Sequence, residues 1–181
     1  MSHGPSHFAL LTSIQLVNSA GILLLTQAIL VLQPTATPKQ KTKGTHIHFV
    51  LNLTGTLALI AGLIIIEMNK ASHPETRFTS VHGIMGLVTF ILIIIQGLIG
   101  FAQFYVPETV LGSVENGKML YKYHRMSGYL ILLMALATIC AATQTGFNKG
   151  VLHIRLWAVL VASVLVLAGI LPRIKKQKFG F

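Results

Sequence analysis

The sequence predicts an all-α integral membrane protein, a bundle of about five transmembrane helices. Hydrophobic residues make up 53% of the 181 residues and charged residues only 10%, a balance that cannot cover a water-soluble surface. A helix needs about 20 mostly apolar residues to cross a hydrocarbon core of roughly 30 Å, and runs of that kind recur along the chain. The predicted helices span about 8–32, 48–68, 81–104, 120–145 and 152–171.

The connections between these helices are short and polar, and several contain proline, which favours turns. They leave no room for a separate soluble domain, so residues 1–181 are expected to form a single membrane domain. Residues 172–181 form a basic tail. The one cysteine, Cys140, lies inside an apolar run, and a lone cysteine forms no intrachain disulfide.

The net charge of +10 could suggest a nucleic-acid partner, but the distribution of the basic residues indicates a membrane topology instead. Loops taken alternately place ten basic residues on one side: Lys39, Lys41, Lys43, Lys118, Lys122, Arg125, Arg173, Lys175, Lys176 and Lys178. The other side has four: Lys70, Arg77, Lys149 and Arg155. Because cytosolic loops are enriched in Lys and Arg, the C-terminus is expected in the cytosol and the N-terminus outside or in a lumen. The expected partner of the basic residues is membrane lipid.

Histidines are the chemically distinctive residues, since the chain has eight of them and ionisable groups near membrane depth mark functional sites. His48 and His124 fall near the cytosolic starts of the second and fourth helices, and His82 and His153 near the outer starts of the third and fifth. Two imidazoles on the same side of neighbouring helices are what bis-histidine ligation of a haem iron requires. No cysteine or acidic partner accompanies them, which disfavours zinc or calcium.

Small residues lie one helical turn beyond three of these histidines, on the same face, where a flat porphyrin needs space. The pairs are His82 with Gly86, His124 with Gly128 and, less strictly, His48 with Asn52. Two simpler explanations stand beside this one. A single histidine at a helix end can be interfacial, and glycines are common where membrane helices pack together.

Four segments together resemble the cytochrome b561 family of transmembrane haem proteins, most closely its short domain-containing members. They are Thr26-Gln-Ala-Ile-Leu-Val31; His48-Phe-Val-Leu-Asn52 with Gly62; Val81-His-Gly-Ile-Met-Gly86 with Gln96 and Gly100-Phe101; and Tyr121-Lys-Tyr-His-Arg-Met-Ser-Gly128. The resemblance covers about residues 26–145. It implies a four-helix haem core, with the helix at 152–171 in the place of the family's last helix.

The resemblance implies haem b as the cofactor, with His48 and His124 as the iron ligands of a cytosolic haem. It also implies His82 as one ligand of a second, outer haem. The family's other outer ligand is a histidine at the position of Ser13, so that ligand is missing here. One haem is therefore expected, and a second only if His153 or His7 takes the missing place.

The resemblance further implies a cytosolic ascorbate site, where basic side chains hold the reductant near the haem edge. The matching residues are Lys41, Lys43, Lys118, Lys122 and Arg125, although the positive-inside pattern explains each of them equally well. The implied function is an ascorbate-dependent transmembrane oxidoreductase that passes electrons to monodehydroascorbate or a ferric chelate. The alternative is a degenerate member that acts as a non-catalytic subunit or accessory protein of a larger membrane complex. A homodimer or a larger membrane complex is the assembly expected.

The charge distribution generates a topology prediction. A protease cleavage site added at the C-terminus is expected to resist protease applied to the outer or lumenal side and to be cut from the cytosolic side, because the ten-residue basic set lies there. The same cleavage site at the N-terminus, as the control, should show the opposite pattern. Cleavage of the C-terminal site from outside would contradict the orientation.

Overall fold

The computed structural model describes residues 5–71 and 77–174, with side chains from residue 12 onward. Every regular element in these ranges is helical. The α-helices are α1 Pro5–Val31, α2 Pro38–Asn69, α3 Val81–Tyr105, α4 Pro107–Leu111, α5 Val114–Ala142 and α6 Leu156–Ile170. A π-helical turn, Asn148–Leu152, precedes α6, and a 3-10 turn, Leu171–Arg173, follows it.

Five of the described helices are long and apolar enough to cross a membrane: α1, α2, α3, α5, and α6 with its 3-10 turn. The prediction of an all-α, multi-pass integral membrane protein is therefore confirmed. In these spans nearly every backbone hydrogen bond is made within the helix, which is what a hydrocarbon environment demands.

Two helices begin well before the starts expected from hydropathy. α2 begins at Pro38 instead of residue 48, and α5 at Val114 instead of residue 120. Thr37 explains the first start, since its side chain accepts a hydrogen bond from the Gln40 amide while the Gln40 side chain bonds back to the Thr37 amide. Ser113 caps α5 in a similar way. Hydropathy marks where a helix enters lipid, whereas capping residues mark where the helix begins.

The chain divides into two compact units, residues 1–79 and 80–181. In the first unit α1 packs against α2 through small residues. A methyl group added to Gly55 would lie 2.9 Å from the carbonyl oxygen of Gly21, and one added to Gly62 would overlap the side chain of Asn18. The two backbones approach this closely only because these positions lack a side chain, as is common in membrane helix pairs.

The second unit is organised by α3 packed against α5. Four polar residues of α3 lie seven apart on the helix face toward α5, namely His82, Thr89, Gln96 and Gln103. We call this set the polar seam. A seven-residue repeat keeps a side chain on one face of a helix along its whole length.

Each member of the polar seam meets α5. The Nδ1 of His82 lies 3.0 Å from the carbonyl oxygen of Thr138, and the hydroxyls of Thr89 and Thr138 are 3.2 Å apart. Gln96 bonds the backbone of α5, as described below, and the backbone oxygen of Gln103 lies 2.8 Å from where a Gly117 methyl group would be. The seam therefore fixes the register of α3 on α5.

The close approach at Gly55 generates a stability prediction. Gly55→Ala is expected to destabilise the protein by about 1–3 kcal/mol, because the new methyl group meets backbone that cannot move aside. Gly97→Ala is the matched control, since a methyl group there has no neighbour within 4 Å. It should be neutral, or stabilising by up to about 1 kcal/mol through helix propensity. Thermal unfolding in detergent measures both, and equal effects would contradict the packing described for α1 and α2.

Candidate functional site

His48 lies in the first unit, half-buried on α2. Its Nδ1 is 2.7 Å from the carbonyl oxygen of Ala28, in the last turn of α1. A carbonyl can only accept, so His48 donates through Nδ1–H, and in the neutral imidazole the lone pair is then on Nε2. A histidine that coordinates a metal is typically held in this way, with the other ring nitrogen bonded to a backbone carbonyl.

His48 differs in its surroundings from His46, the other histidine of α2. The amide of Asn52 donates to the backbone carbonyl of His48 at 2.7 Å, so the Asn52 side chain folds back along its own helix. His46 is exposed, whereas His48 is half-buried. The predicted pair of His48 and Asn52 thus lies together on one face of α2, and its contact with a porphyrin remains a prediction.

His82 has the same arrangement in the second unit. It lies in the first turn of α3, and its Nδ1 donates to the carbonyl oxygen of Thr138 on α5. Its lone pair is therefore also on Nε2. Gly86 faces the same threonine, since a methyl group added there would lie 3.7 Å from Thr138 Cγ2, an ordinary contact distance. The packing of α3 against α5 therefore leaves space for a methyl group at Gly86.

His124 lies on α5, and its imidazole rests on Gly100 of α3. A methyl group built on Gly100 would be 2.9 Å from His124 Cε1 and 3.4 Å from Nε2. The imidazole can occupy this position only because residue 100 lacks a side chain. Gly100 was part of the family resemblance, and the structure gives it a physical role beside the predicted ligand.

Gln96 occupies the space that Gly128 leaves open. Its Nε2 donates to the backbone carbonyl of His124 at 2.5 Å, and its Oε1 accepts from the hydroxyl of Ser127 at 2.8 Å. A methyl group on Gly128 would lie 3.1 Å from Gln96 Nε2. Gly128 thus has a packing role within the second unit, and its predicted contact with the porphyrin remains untested.

These environments fit haem ligation. Both His48 and His82 have Nδ1 bonded to a helix carbonyl, which leaves Nε2 as the coordinating nitrogen, and a glycine holds the ring of His124. Within residues 5–71 and 77–174 no group of three or more His, Cys, Asp or Glu could hold a metal ion. Two imidazoles per iron, with the remaining four positions filled by porphyrin, require no such cluster.

The predicted reductant-binding cations lie near the N-terminal ends of α2 and α5. Lys41 and Lys43 are exposed on the first turns of α2, and Arg125 is half-buried beside His124. Lys118 is 4.0 Å from Glu115, both side chains largely exposed, and such pairs contribute only about 0.2–1 kcal/mol. The ammonium of Lys122 lies 4.9 Å from the ring centre of Tyr123. Among the described residues, no strong ion pair holds Lys118 or Lys122 in place.

The residues considered as the missing ligand of the outer haem lie in less favourable positions than His48 and His82. His153 is exposed, adopts a left-handed backbone conformation with φ 53°, and donates its backbone amide to the Asn148 carbonyl. Ser13 is exposed on α1. The side chain of His7 lies outside the described residues.

The fold defines a class, a multi-pass all-α membrane protein, and two of its described histidines donate Nδ1–H to helix carbonyls. The family model of eukaryotic cytochrome b561 matches residues 14–152. The chain belongs to this family, and it is a transmembrane haem-binding protein of electron transfer. Comparisons with curated proteins and with solved structures gave no match.

Sequence reasoning missed the roles of Thr138, Ser127 and Gly100 in holding the histidines. Carbonyl partners such as those of Ala28 and Thr138 leave no trace in residue identity, because every residue has a backbone carbonyl. The polar seam did have a signal, since polar residues recur every seven positions through an otherwise apolar α3. That period could have predicted which face of α3 meets α5.

The contrast between the two histidines of α2 is testable. His48→Ala is expected to remove haem from the protein or convert the remaining haem to a high-spin, five-coordinate form, because a bis-histidine iron loses one ligand. His46→Ala is the matched control and should leave the absorbance spectrum nearly unchanged. If His46→Ala bleaches the protein while His48→Ala does not, the assignment of the ligand on α2 is wrong.

Proposed function

We propose that this protein is a haem b oxidoreductase that accepts electrons from cytosolic ascorbate and passes them across the membrane to monodehydroascorbate or a ferric chelate. The observation that carries the proposal is the shared environment of His48 and His82. In each, a helix carbonyl accepts a hydrogen bond from Nδ1–H, so that the lone pair of the neutral ring is on Nε2, the nitrogen that would bind iron. Membership of the cytochrome b561 family supports haem as the group bound.

The ligands proposed for the cytosolic haem are His48 and His124. The pairing follows from the family resemblance, and the local contacts support each member separately. Haem iron, when bound, supplies a one-electron redox couple. Within its own unit each imidazole is held by a contact of the protein, His48 by the carbonyl of Ala28 and His124 by the space at Gly100.

The outer site is proposed to be incomplete. His82 is prepared as a ligand, but Ser13 stands where the family resemblance places its partner. A hydroxyl is a poor substitute for imidazole as an axial ligand to haem. One haem is therefore proposed, with His153 or His7 as the candidate second ligand if a second haem binds.

Ascorbate is proposed to bind on the cytosolic side, where its negative charge would be attracted by basic side chains. The candidates are Lys41, Lys43, Lys118, Lys122 and Arg125. Their support is the exposure of both lysines of α2 and the weak pairing of Lys118. The proposed orientation, with the C-terminus in the cytosol, follows from the positive-inside pattern.

A second candidate function is an accessory role without catalysis, as a homodimer or a subunit of a larger membrane complex. Serine at position 13 favours it, because a relay with one haem would leave an electron to cross much of a roughly 30 Å core without a second cofactor. Protein that purifies without colour and with other membrane proteins would support this candidate and contradict the first.

The proposal predicts one haem b per polypeptide. A pyridine haemochrome assay on the purified protein should give about one equivalent, and His124→Ala should remove it or leave a high-spin form, since the iron then has one protein ligand. A ratio near two would show that His82 has found a partner. In that case His153→Ala or His7→Ala should return the ratio to about one, and if neither does, both candidate ligands are wrong.

The proposed reductant is tested by adding ascorbate to the oxidised protein and following haem reduction. Lys118→Gln combined with Lys122→Gln is expected to slow the reduction by ascorbate, because the attraction for the anion is weaker. Reduction by dithionite should be complete in both proteins and serves as the control. Equal ascorbate rates in wild type and variant would remove these lysines from the site.

A further inference from the structure

We infer that Gln96 is a positioning residue for His124, and that Gln96 and Ser127 together fix the orientation of this imidazole at the haem iron. The inference rests on the proposed role of His124 as a ligand. It assigns a function to a half-buried amide that lies across the helix interface from the ligand and does not itself bind iron.

The first step is the bond from Gln96 to the backbone of His124. Within an α-helix, the carbonyl of His124 is already an acceptor for the amide of the residue four positions later, Gly128. Gln96 adds a donor from α3 to the same oxygen, at 2.5 Å. The turn of α5 that carries the ligand is thus attached to α3, and Gly128 leaves the space through which the side chain reaches it.

The second step concerns the direction of the Gln96 amide. Its Oε1 accepts from the hydroxyl of Ser127 at 2.8 Å while its NH2 group donates to the His124 carbonyl. A reversed amide would place Oε1 against that carbonyl, two acceptors facing each other. The His124 carbonyl, which can only accept, therefore selects one orientation of the Gln96 amide. In that orientation Oε1 accepts from the Ser127 hydroxyl, which also lies 2.9 Å from the Tyr123 carbonyl and 3.2 Å from the His124 carbonyl.

The third step concerns the ring itself. Gly100 lies one turn beyond Gln96 on α3, and residues four apart share a helix face. The face that bonds the His124 backbone therefore also supports its imidazole, since a methyl group added at Gly100 would lie 2.9 Å from Cε1. The backbone bond sets where the side chain starts, and Gly100 limits how the ring can turn.

The position of these contacts distinguishes Gln96 from the rest of the polar seam. Thr89 makes its contact with the hydroxyl of Thr138, about two heptads of α5 away from His124. Gln96 alone among the described seam residues bonds the ligand residue proposed for the cytosolic haem. Since hydrogen bonding and geometry around the axial ligand tune the potential of a haem, Gln96 is expected to affect the iron electronically as well as the packing of α3.

The test compares Gln96→Leu with Thr89→Val, a matched polar-to-apolar change in the same seam. The ferric low-spin EPR signal and the midpoint potential of the haem are measured on purified protein. The EPR signal of the haem bound by His124 is the one that is lost in His124→Ala. We expect Gln96→Leu to retain haem, to shift this EPR signal and to shift the midpoint potential. Thr89→Val should shift neither.

Two results would overturn the inference. One is a Gln96→Leu protein with the EPR signal and midpoint potential of wild type. The other is equal shifts in Thr89→Val, which would mean that Gln96 acts only through the packing of α3 on α5. If Gln96→Leu fails to accumulate, Ser127→Ala replaces it, because it removes the donor to Gln96 Oε1. A shift of the signal in Ser127→Ala supports the inference, and a wild-type spectrum overturns it.

The failure of the proposed function gives a different result. If His124→Ala leaves the haem spectrum unchanged, His124 is not a ligand, and the proposed ligation and the positioning role of Gln96 both fall. If His124→Ala removes the signal while Gln96→Leu leaves it unshifted, the ligation stands and the inference about Gln96 alone is wrong.

Discussion

A polar side chain on a membrane helix must find its hydrogen bond inside the protein, and much of the second unit depends on this constraint. Lipid offers no partner to His82, Thr89 or Gln96, so these side chains bond to α5. Gln103 is the exception among the described seam residues, since its Oε1 is buried without a hydrogen-bond partner. Each hydrogen bond between membrane helices contributes only about 0.6 kcal/mol on average. Its larger effect is on register, because a slide of one helix along the other would separate every donor from its acceptor at once.

The same constraint orients His48 and His82, two of the histidines proposed as haem ligands. An imidazole has two nitrogens, and the helix carbonyls of Ala28 and Thr138 each engage Nδ1 of one histidine. The proton then has one favourable position, and the lone pair is on Nε2. The stabilisation of the helix pair and the choice of the coordinating nitrogen are therefore consequences of a single hydrogen bond. A histidine in an exposed loop, such as His153, lacks this support.

Glycines serve two distinct purposes in the chain. Gly55 and Gly62 allow α1 and α2 to approach closely, whereas Gly100 and Gly128 leave space for the imidazole of His124 and the amide of Gln96. The residue type is the same, and the difference is in what fills the space. Sequence reasoning could recognise small residues near His124, but it could not tell a porphyrin contact from a side chain reaching across from the neighbouring helix.

The sequence by itself determined the class of fold, because five apolar runs of membrane-spanning length cannot be soluble, and it determined the family through the order of its histidine and glycine motifs. It did not fix where α2 and α5 begin, since a capped helix continues past the end of its apolar run. The tertiary structure decided the partners of His48 and His82, because those partners are backbone carbonyls whose position depends on helix packing. It also decided that Gln96 meets His124, because residues 28 positions apart in the chain become neighbours only when α3 and α5 pack in one register.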